Sequence, residues 1–348
     1  MASPPTRPAS MLCVLVRQPE WLLVRVLSNL RPVVLARLAS LHNSFARVHR
    51  LLSEQDAARW GAPDRGWLNR LARWPRLVRA AELGDVGVVV ALLALDDADA
   101  RANKDRALRS ASSNGYIDVV ETLLAHGANV HEGHDAPLAA AALRGHLDVV
   151  LALLSRGAHV NSVDRRFDMD TILGLASTGG HVNVVETLLA RDADVGAFHN
   201  EALMRAAEFG HARVVELLLD AGANIDARDN LALKRSVASG HAGVVELLIA
   251  RGINVAETPQ VVVMAAERGF LNILEMLLAA GADATEYESG AVYHAAQNGH
   301  AAVVARLLVA GASPQANLGN SLTAVEIAEM RGHRAVVGLL RAAQLRIQ

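Results

Sequence analysis

The sequence predicts an all-α fold: a solenoid of about nine stacked helix pairs with shortened hairpins, preceded by a small helical segment. Three observations predict it. The 348 residues are 52% hydrophobic but only 3% aromatic, which suits small, closely packed helices better than β-layers. A glycine followed by a polar or aromatic residue returns before an apolar run at Gly84-Asp85, Gly115-Tyr116, Gly145-His146, Gly180-His181, Gly210-His211, Gly240-His241, Gly269-Phe270, Gly299-His300 and Gly332-His333. The intervals are 31, 30, 35, 30, 30, 29, 30 and 33 residues, the mark of a repeat array. Between those glycines the apolar residues fall at helical spacing.

Along the chain, residues 1–15 open Pro/Ser-rich and are expected to form a disordered tail. Residues 16–62 are expected to be helical, 63–76 a linker and 77–345 the array. In the helical segment Leu22, Leu23, Val26, Leu27 and Leu30 make one stripe, and Pro32 breaks it. Leu35, Leu38 and Leu41 begin a second helix, and Phe45, Val48 and Leu52 a third. One unit of the array shows its mechanics. Asn230 to Ser239 is a short helix expected to turn Leu231, Ala232, Ser236 and Val237 inward, and Gly240 ends it. A second helix, Gly243 to Ala250, carries Val244, Val245, Leu247 and Leu248. Each pair leaves two apolar faces that only neighbours cover. The first unit, from Leu77, lacks the Gly-His step and reads as one cap. The last, from Ser321, is full length and ends in Arg341 and Arg346 as the other. The 35-residue interval before Gly180 holds an insertion around Arg165 to Asp170, expected to be a surface loop.

The net charge of −2 hides an asymmetry: residues 1–80 hold 13 Arg and four acidic residues, the remainder 21 basic and 32 acidic. Without a Lys-rich run or interleaved aromatics, and with an acidic array that repels phosphates, no nucleic-acid partner is expected. The single cysteine, Cys13, excludes an intramolecular disulfide framework and a thiolate zinc cluster, and fits a reducing compartment, cytoplasmic or nuclear. The longest apolar run, Val86 to Leu95, is about half of the ~20 residues a membrane span needs, so no membrane partner is expected.

The sequence contains no Gly-rich phosphate loop, no G-x-S-x-G and no H-E-x-x-H. No enzymatic activity, catalytic residue, cofactor or metal site is expected. Six of the 14 His stand at Gly-His steps, which in stacked helices lie ~8–10 Å apart, too far for shared ligation at ~2 Å. His126, His131 and His134 cluster near a unit exit, with no acid or thiol at ligand spacing read beside them.

These residues resemble the ankyrin repeat over about 77–345. The Gly-His step, the V-V-x-L-L second helix and the G-A-[ND] exit return in register. One example is Gly210-His211…Val214-Val215-Glu216-Leu217-Leu218…Gly222-Ala223-Asn224; another is Gly145-His146…Val149-Val150…Leu153-Leu154…Gly157-Ala158. The resemblance implies that the Gly-His imidazole bonds the backbone of an adjacent unit. It also implies capture of a protein target on the concave face, at the exposed positions just before each glycine. Here those include Arg144, Glu208, Phe209, Glu267, Arg268, Gln297 and Asn298, with Phe209, Arg144 and Arg268 as first anchors because exposed aromatics and Arg are typical hot spots. Most units fall about three residues short of the ~33-residue family period. The deficit lies between the exit and the next helix, so blunt fingers are expected.

Residues 18–60 are similar to an F-box. Pro19-Glu20, Leu22-Leu23, Val26-Leu27, Leu30, Pro32, Leu35, Leu38, Phe45 and Trp60 fall at suitable places, although His42-Asn43-Ser44 replace the usual Cys and Trp. The resemblance implies that Pro19, Leu22, Leu23, Leu27, Leu30, Pro32 and Leu35 dock a Skp-type adaptor of a cullin–RING ubiquitin ligase, which makes the chain a substrate receptor. Two other readings stay open. These helices cap the end of the array, and the chain is a plain ankyrin scaffold or inhibitor. Alternatively they form an organellar transit peptide, with seven Arg and one acid through Leu52.

Overall fold

A computed structural model of the chain describes residues 76–95, 98–164, 170–317 and 322–346, which form 18 α-helices. The segment 16–62 and its adaptor-docking residues lie outside the described residues. The first compact unit ends at His159. It pairs α1 (Arg76–Glu82) with α2 (Val86–Leu95), α3 (Ala98–Asn114) with α4 (Ile117–Ala125), and α5 (Ala136–Arg144) with α6 (Leu147–Ser155). The first helices α1, α3 and α5 pack in one row, and the second helices α2, α4 and α6 in another.

The second compact unit begins at Val160. It pairs α7 (Ile172–Gly179) with α8 (Val182–Leu189), α9 (Ala197–Glu208) with α10 (Ala212–Asp220), and α11 (Ala227–Ser239) with α12 (Ala242–Ala250). After a 3-10 turn at Val255–Glu257 come α13 (Gln260–Arg268) with α14 (Leu271–Ala279), α15 (Glu286–Gln297) with α16 (Ala301–Val309), and α17 (Ala324–Met330) with α18 (Arg334–Gln344). First helices again pack on first helices and second on second.

The apolar spacing explains the rows. In α10, Val214, Val215 and Leu218 are fully buried, and Val244, Val245 and Leu248 repeat that pattern in α12. Burying each such leucine contributes about 1.5–3 kcal/mol of transfer free energy. In α11 the buried set is Ala232, Leu233, Ser236 and Val237, so Leu233 takes the place expected for Leu231, which is half-buried. Positions i, i+1, i+4 and i+5 share one helical face, and Leu231 lies at its edge.

The connections between most pairs are blunt. Instead of a projecting hairpin, the opening of α9 holds Phe198, His199 and Asn200 in left-handed conformation (φ 48°, 62° and 66°), and that of α11 does the same with Arg228, Asp229 and Asn230 (φ 54°, 59° and 56°). Left-handed non-glycine residues cost about 1–2 kcal/mol each. Buried amides offset part of that cost: Asn200 Oδ1 accepts the Asn224 backbone N–H at 2.7 Å, and Asn230 Nδ2 donates to Thr258 Oγ1 at 2.6 Å. Residues 165–169 of the insertion expected as a surface loop lie outside the described residues, and a short antiparallel pair flanks them. Strand β1 (Val163–Asp164) meets β2 (Asp170–Thr171), with Val163 opposite Thr171.

Helices end on glycine twice in most repeats, as the pair of α10 and α11 ends shows. The His241 N–H donates to Ser236 O at 2.9 Å and the Gly240 N–H to Val237 O at 3.1 Å. At the exit the Ala223 N–H donates to Leu218 O at 2.9 Å and the Gly222 N–H to Leu219 O at 3.0 Å. The two kinds of glycine differ in surroundings. A Cβ on Gly210 (φ +80°) would lie 2.6 Å from His241 Nδ1, whereas one on Gly222 (φ +93°) would meet nothing within 4 Å. Asp192 holds the corresponding exit position with φ 61°, so the exit admits a side chain. The last pair opens on a capping box: Glu326 Oε2 accepts the Thr323 N–H at 2.7 Å, and Thr323 Oγ1 accepts the Glu326 N–H at 3.4 Å.

Two outcomes are expected. In denaturant unfolding, Gly210→Ala costs about 3 kcal/mol, backbone strain plus ring overlap, while Gly222→Ala costs about 1 kcal/mol from strain alone. The Thr323 backbone N–H, and after it the Thr323 hydroxyl, hold the Glu326 carboxyl below the usual carboxylate range. A depressed folded pKa contributes stability above the unfolded value and loses it as pH falls through the folded one. The difference in thermal midpoint between wild type and Glu326→Gln at neutral pH therefore closes on acidification through that range.

Candidate protein-binding surface

Five of the histidines that open second helices reach back to the preceding pair. In the first unit His146 Nε2 lies 3.1 Å from Ser113 O. In the second, His211 reaches Thr178 O at 3.0 Å, His241 reaches Glu208 O at 2.9 Å, His300 reaches Glu267 O at 3.1 Å and His333 reaches Gln297 O at 3.1 Å. A carbonyl only accepts, so each Nε2 carries the hydrogen. This is the backbone bond that the family resemblance implies. It fixes the last turn of each first helix by its main chain and leaves the side chains just before the glycine projecting.

Arg144 ends α5 in the first unit and is exposed. In the second unit Glu208 ends α9 half-buried, and Phe209 follows it 48% exposed. Glu208 pairs with Arg235 of α11 and lies 3.9 Å from Arg205, whose Nε lies 3.5 Å from Glu201 Oε1. Phe209 thus follows directly on a line of alternating charges drawn from two helices. Glu267 and Arg268 are exposed at the end of α13. Asn298 Nδ2 donates to Glu267 O at 2.9 Å, and Gln297 ends α15 half-buried. The structure therefore joins Glu208 to Arg235 and Glu267 to Asn298.

Arg205 and Arg235 were not anticipated, yet their signal is in the sequence. They stand one repeat interval of 30 residues apart, and Glu201, Arg205 and Glu208 share a helix face at i, i+4 and i+7. Ion pairs this exposed stabilise a fold by at most about 1 kcal/mol, so they orient the surface more than they hold it together.

In the first unit the structure corrects the reading of the exit histidines. His126 Nδ1 faces Thr122 O at 2.8 Å within its own helix turn. His131, however, has an acid at ligand distance: its Nδ1 lies 2.9 Å from Asp135 Oδ1. His159, from the exit of the next pair, brings its Nδ1 within 3.2 Å of Asp135 Oδ2. The Asp135 side chain is 2% exposed. Residues 131 and 135 meet because Gly133, His134 and Asp135 are all left-handed. The link to position 159 spans 24 residues, the offset that also joins Asp105 to Asn129 and Asn200 to Asn224.

Phe209→Ala and Arg268→Ala are expected to leave unfolding stability within about 0.5 kcal/mol of wild type, as truncations at exposed positions do. Chemical denaturation checks this.

The sequence matches a family model described as ankyrin repeats, in three copies, at residues 77–164, 138–229 and 173–259. No curated protein matches it significantly. Among the described residues no helix is long and apolar enough to cross a membrane. Helix pairs of the same form continue beyond residue 259 to Gln344. The repeated two-helix unit, its glycine exits and the matched span lead to one conclusion: the chain belongs to the ankyrin-repeat family.

Proposed function

We propose that this chain captures a protein target at the ends of its first helices and delivers it to a ubiquitin ligase. Ankyrin repeats are protein–protein interaction modules, generally without enzymatic activity. The observation that carries the capture reading is Phe209, 48% exposed beside the Glu208–Arg235 pair. An aromatic held on a rigid helix end, rimmed by paired charges, is the composition of an interface anchor. Glu267, Arg268, Gln297 and Asn298 extend the same kind of surface in the second unit, and Arg144 supplies it in the first.

The delivery step is supported by the F-box-like spacing of Pro19, Leu22, Leu23, Leu27, Leu30, Pro32 and Leu35. A chain carrying both elements acts by positioning: it raises the effective concentration of target lysines at the ligase. Such partners place it in the cytoplasm or nucleus.

Two binding measurements on the full chain test the two halves. A Phe209→Ala, Arg268→Ala double variant is expected to lose the proteins that wild type retains from a cell lysate; retention of the same set rejects this surface. Purified Skp-type adaptor is expected to bind wild type and not a Leu27→Asp, Leu30→Asp variant. Absence of adaptor binding to wild type leaves the plain ankyrin scaffold as the function.

A further inference from the structure

We infer that His131, Asp135 and His159 form a binding site for one divalent transition-metal ion of the zinc class. His131 and Asp135 lie in the turn that leads into α5, and His159 follows α6 at the exit of the same pair. One ligand atom from each, two imidazole Nδ1 and a carboxylate oxygen, lie within 4.8 Å of one another. The two imidazoles stack with centroids 4.4 Å apart and planes 23° apart, so both present Nδ1 edges to the same carboxylate. Ligands at ~2.0–2.1 Å from a tetrahedral zinc stand roughly 3.3 Å from each other. His131 Nδ1 stands 2.9 Å from Oδ1 and His159 Nδ1 3.2 Å from Oδ2, so each imidazole is already at that separation from one carboxylate oxygen. Asp135 is buried and fixed, while the histidine side chains are 43% and 70% exposed and can rotate to bring the three atoms, now within 4.8 Å of one another, to that spacing. Their exposure leaves the fourth position to solvent.

Comparison with the other repeats separates this ligand set from the turn that carries it. Asp135 Oδ1 accepts the His159 backbone N–H at 3.2 Å. Asn200 does the same for the Asn224 backbone at 2.7 Å, with no carboxylate and no imidazole. The position of His159 is held by Asn129, Asn224 and Asn254 in other units, and that of His131 by Gly196 and Asp226. The turn therefore needs none of the three ligating groups, yet this one unit carries all of them. The bond from the His159 backbone to Oδ1 orients the carboxylate from behind.

The exchange balances without redox chemistry. A carboxylate only accepts, so both Nδ1 atoms carry hydrogen in the metal-free protein; when Nδ1 takes the ion, a neutral imidazole carries its hydrogen on Nε2 instead, and a charged one releases the Nδ1 proton to solvent. Two imidazole nitrogens select zinc, nickel or copper over magnesium and calcium, which prefer all-oxygen sites. Bound metal ties the turn before α5 to the exit after α6 and stiffens that finger.

The test is titration of the full chain with zinc chloride, followed by calorimetry and thermal unfolding, with magnesium chloride as the control. Wild type is expected to bind one zinc ion that raises the unfolding midpoint. His159→Asn and Asp135→Asn, each installing the residue that other repeats carry there, and His131→Asn are expected to keep wild-type helical circular dichroism. Each variant should weaken that zinc by roughly 100-fold or more, a larger loss than removal of an outer-shell partner usually gives. Zinc uptake equal in wild type and His159→Asn overturns the site, because the remaining histidines then account for it. Wild type that takes up no zinc, or takes up magnesium equally well, overturns it too.

Discussion

The stack rests on a ring seated against a glycine. Within each compact unit an imidazole, or the Phe270 and Tyr116 rings at their steps, lies so close to the glycine of the preceding pair that a Cβ there would fall 2.5–2.8 Å from it. The imidazole then reaches one step further, to a carbonyl in the last turn of the first helix. That one contact satisfies a helix-terminal carbonyl that would otherwise need water, sets the spacing between pairs and forbids any side chain at the glycine. Phe270 supplies the packing without the hydrogen bond, so the steric half of the contact holds a step by itself.

Shortening the repeat moves the cost of reversal into the backbone. With about three residues fewer than a full ankyrin unit, the chain turns through left-handed residues in place of an extended finger. Asp135, Asn200 and Asn230 terminate those turns, and each spends a buried polar group on the next exit or the turn that follows it. Where the interval lengthens to 35 residues, the chain returns to a hydrogen-bonded strand pair. The turn thus differs between the short intervals and the 35-residue one.

The same pinning divides core from surface. Main-chain groups at the ends of the first helices are consumed by the stack, and the side chains there stay at the surface, some in ion pairs and hydrogen bonds across helices. Glu208, Phe209, Glu267 and Arg268 vary from unit to unit, whereas the paired valines and leucine of the second helices repeat. A rigid row with variable tips satisfies the requirement that a recognition surface lose little conformational entropy on binding.

Composition and the 30-residue period determined the helix pairs, their glycine ends and the approximate tip residues, because helical spacing and left-handed glycine are local properties of the chain. The sequence also contained the 30-residue match of Arg205 and Arg235, legible once the repeats are aligned. It did not reveal that Leu233 rather than Leu231 is buried, since both positions border the same helical face and only the neighbouring helix chooses between them. Nor did it reveal the meeting of His131, Asp135 and His159. Two of those residues are joined by a turn whose left-handed path has no residue signature beyond Gly133, and the third arrives only when the next helix pair folds back. Local physics determined the unit; packing between successive units decided which side chains stand together.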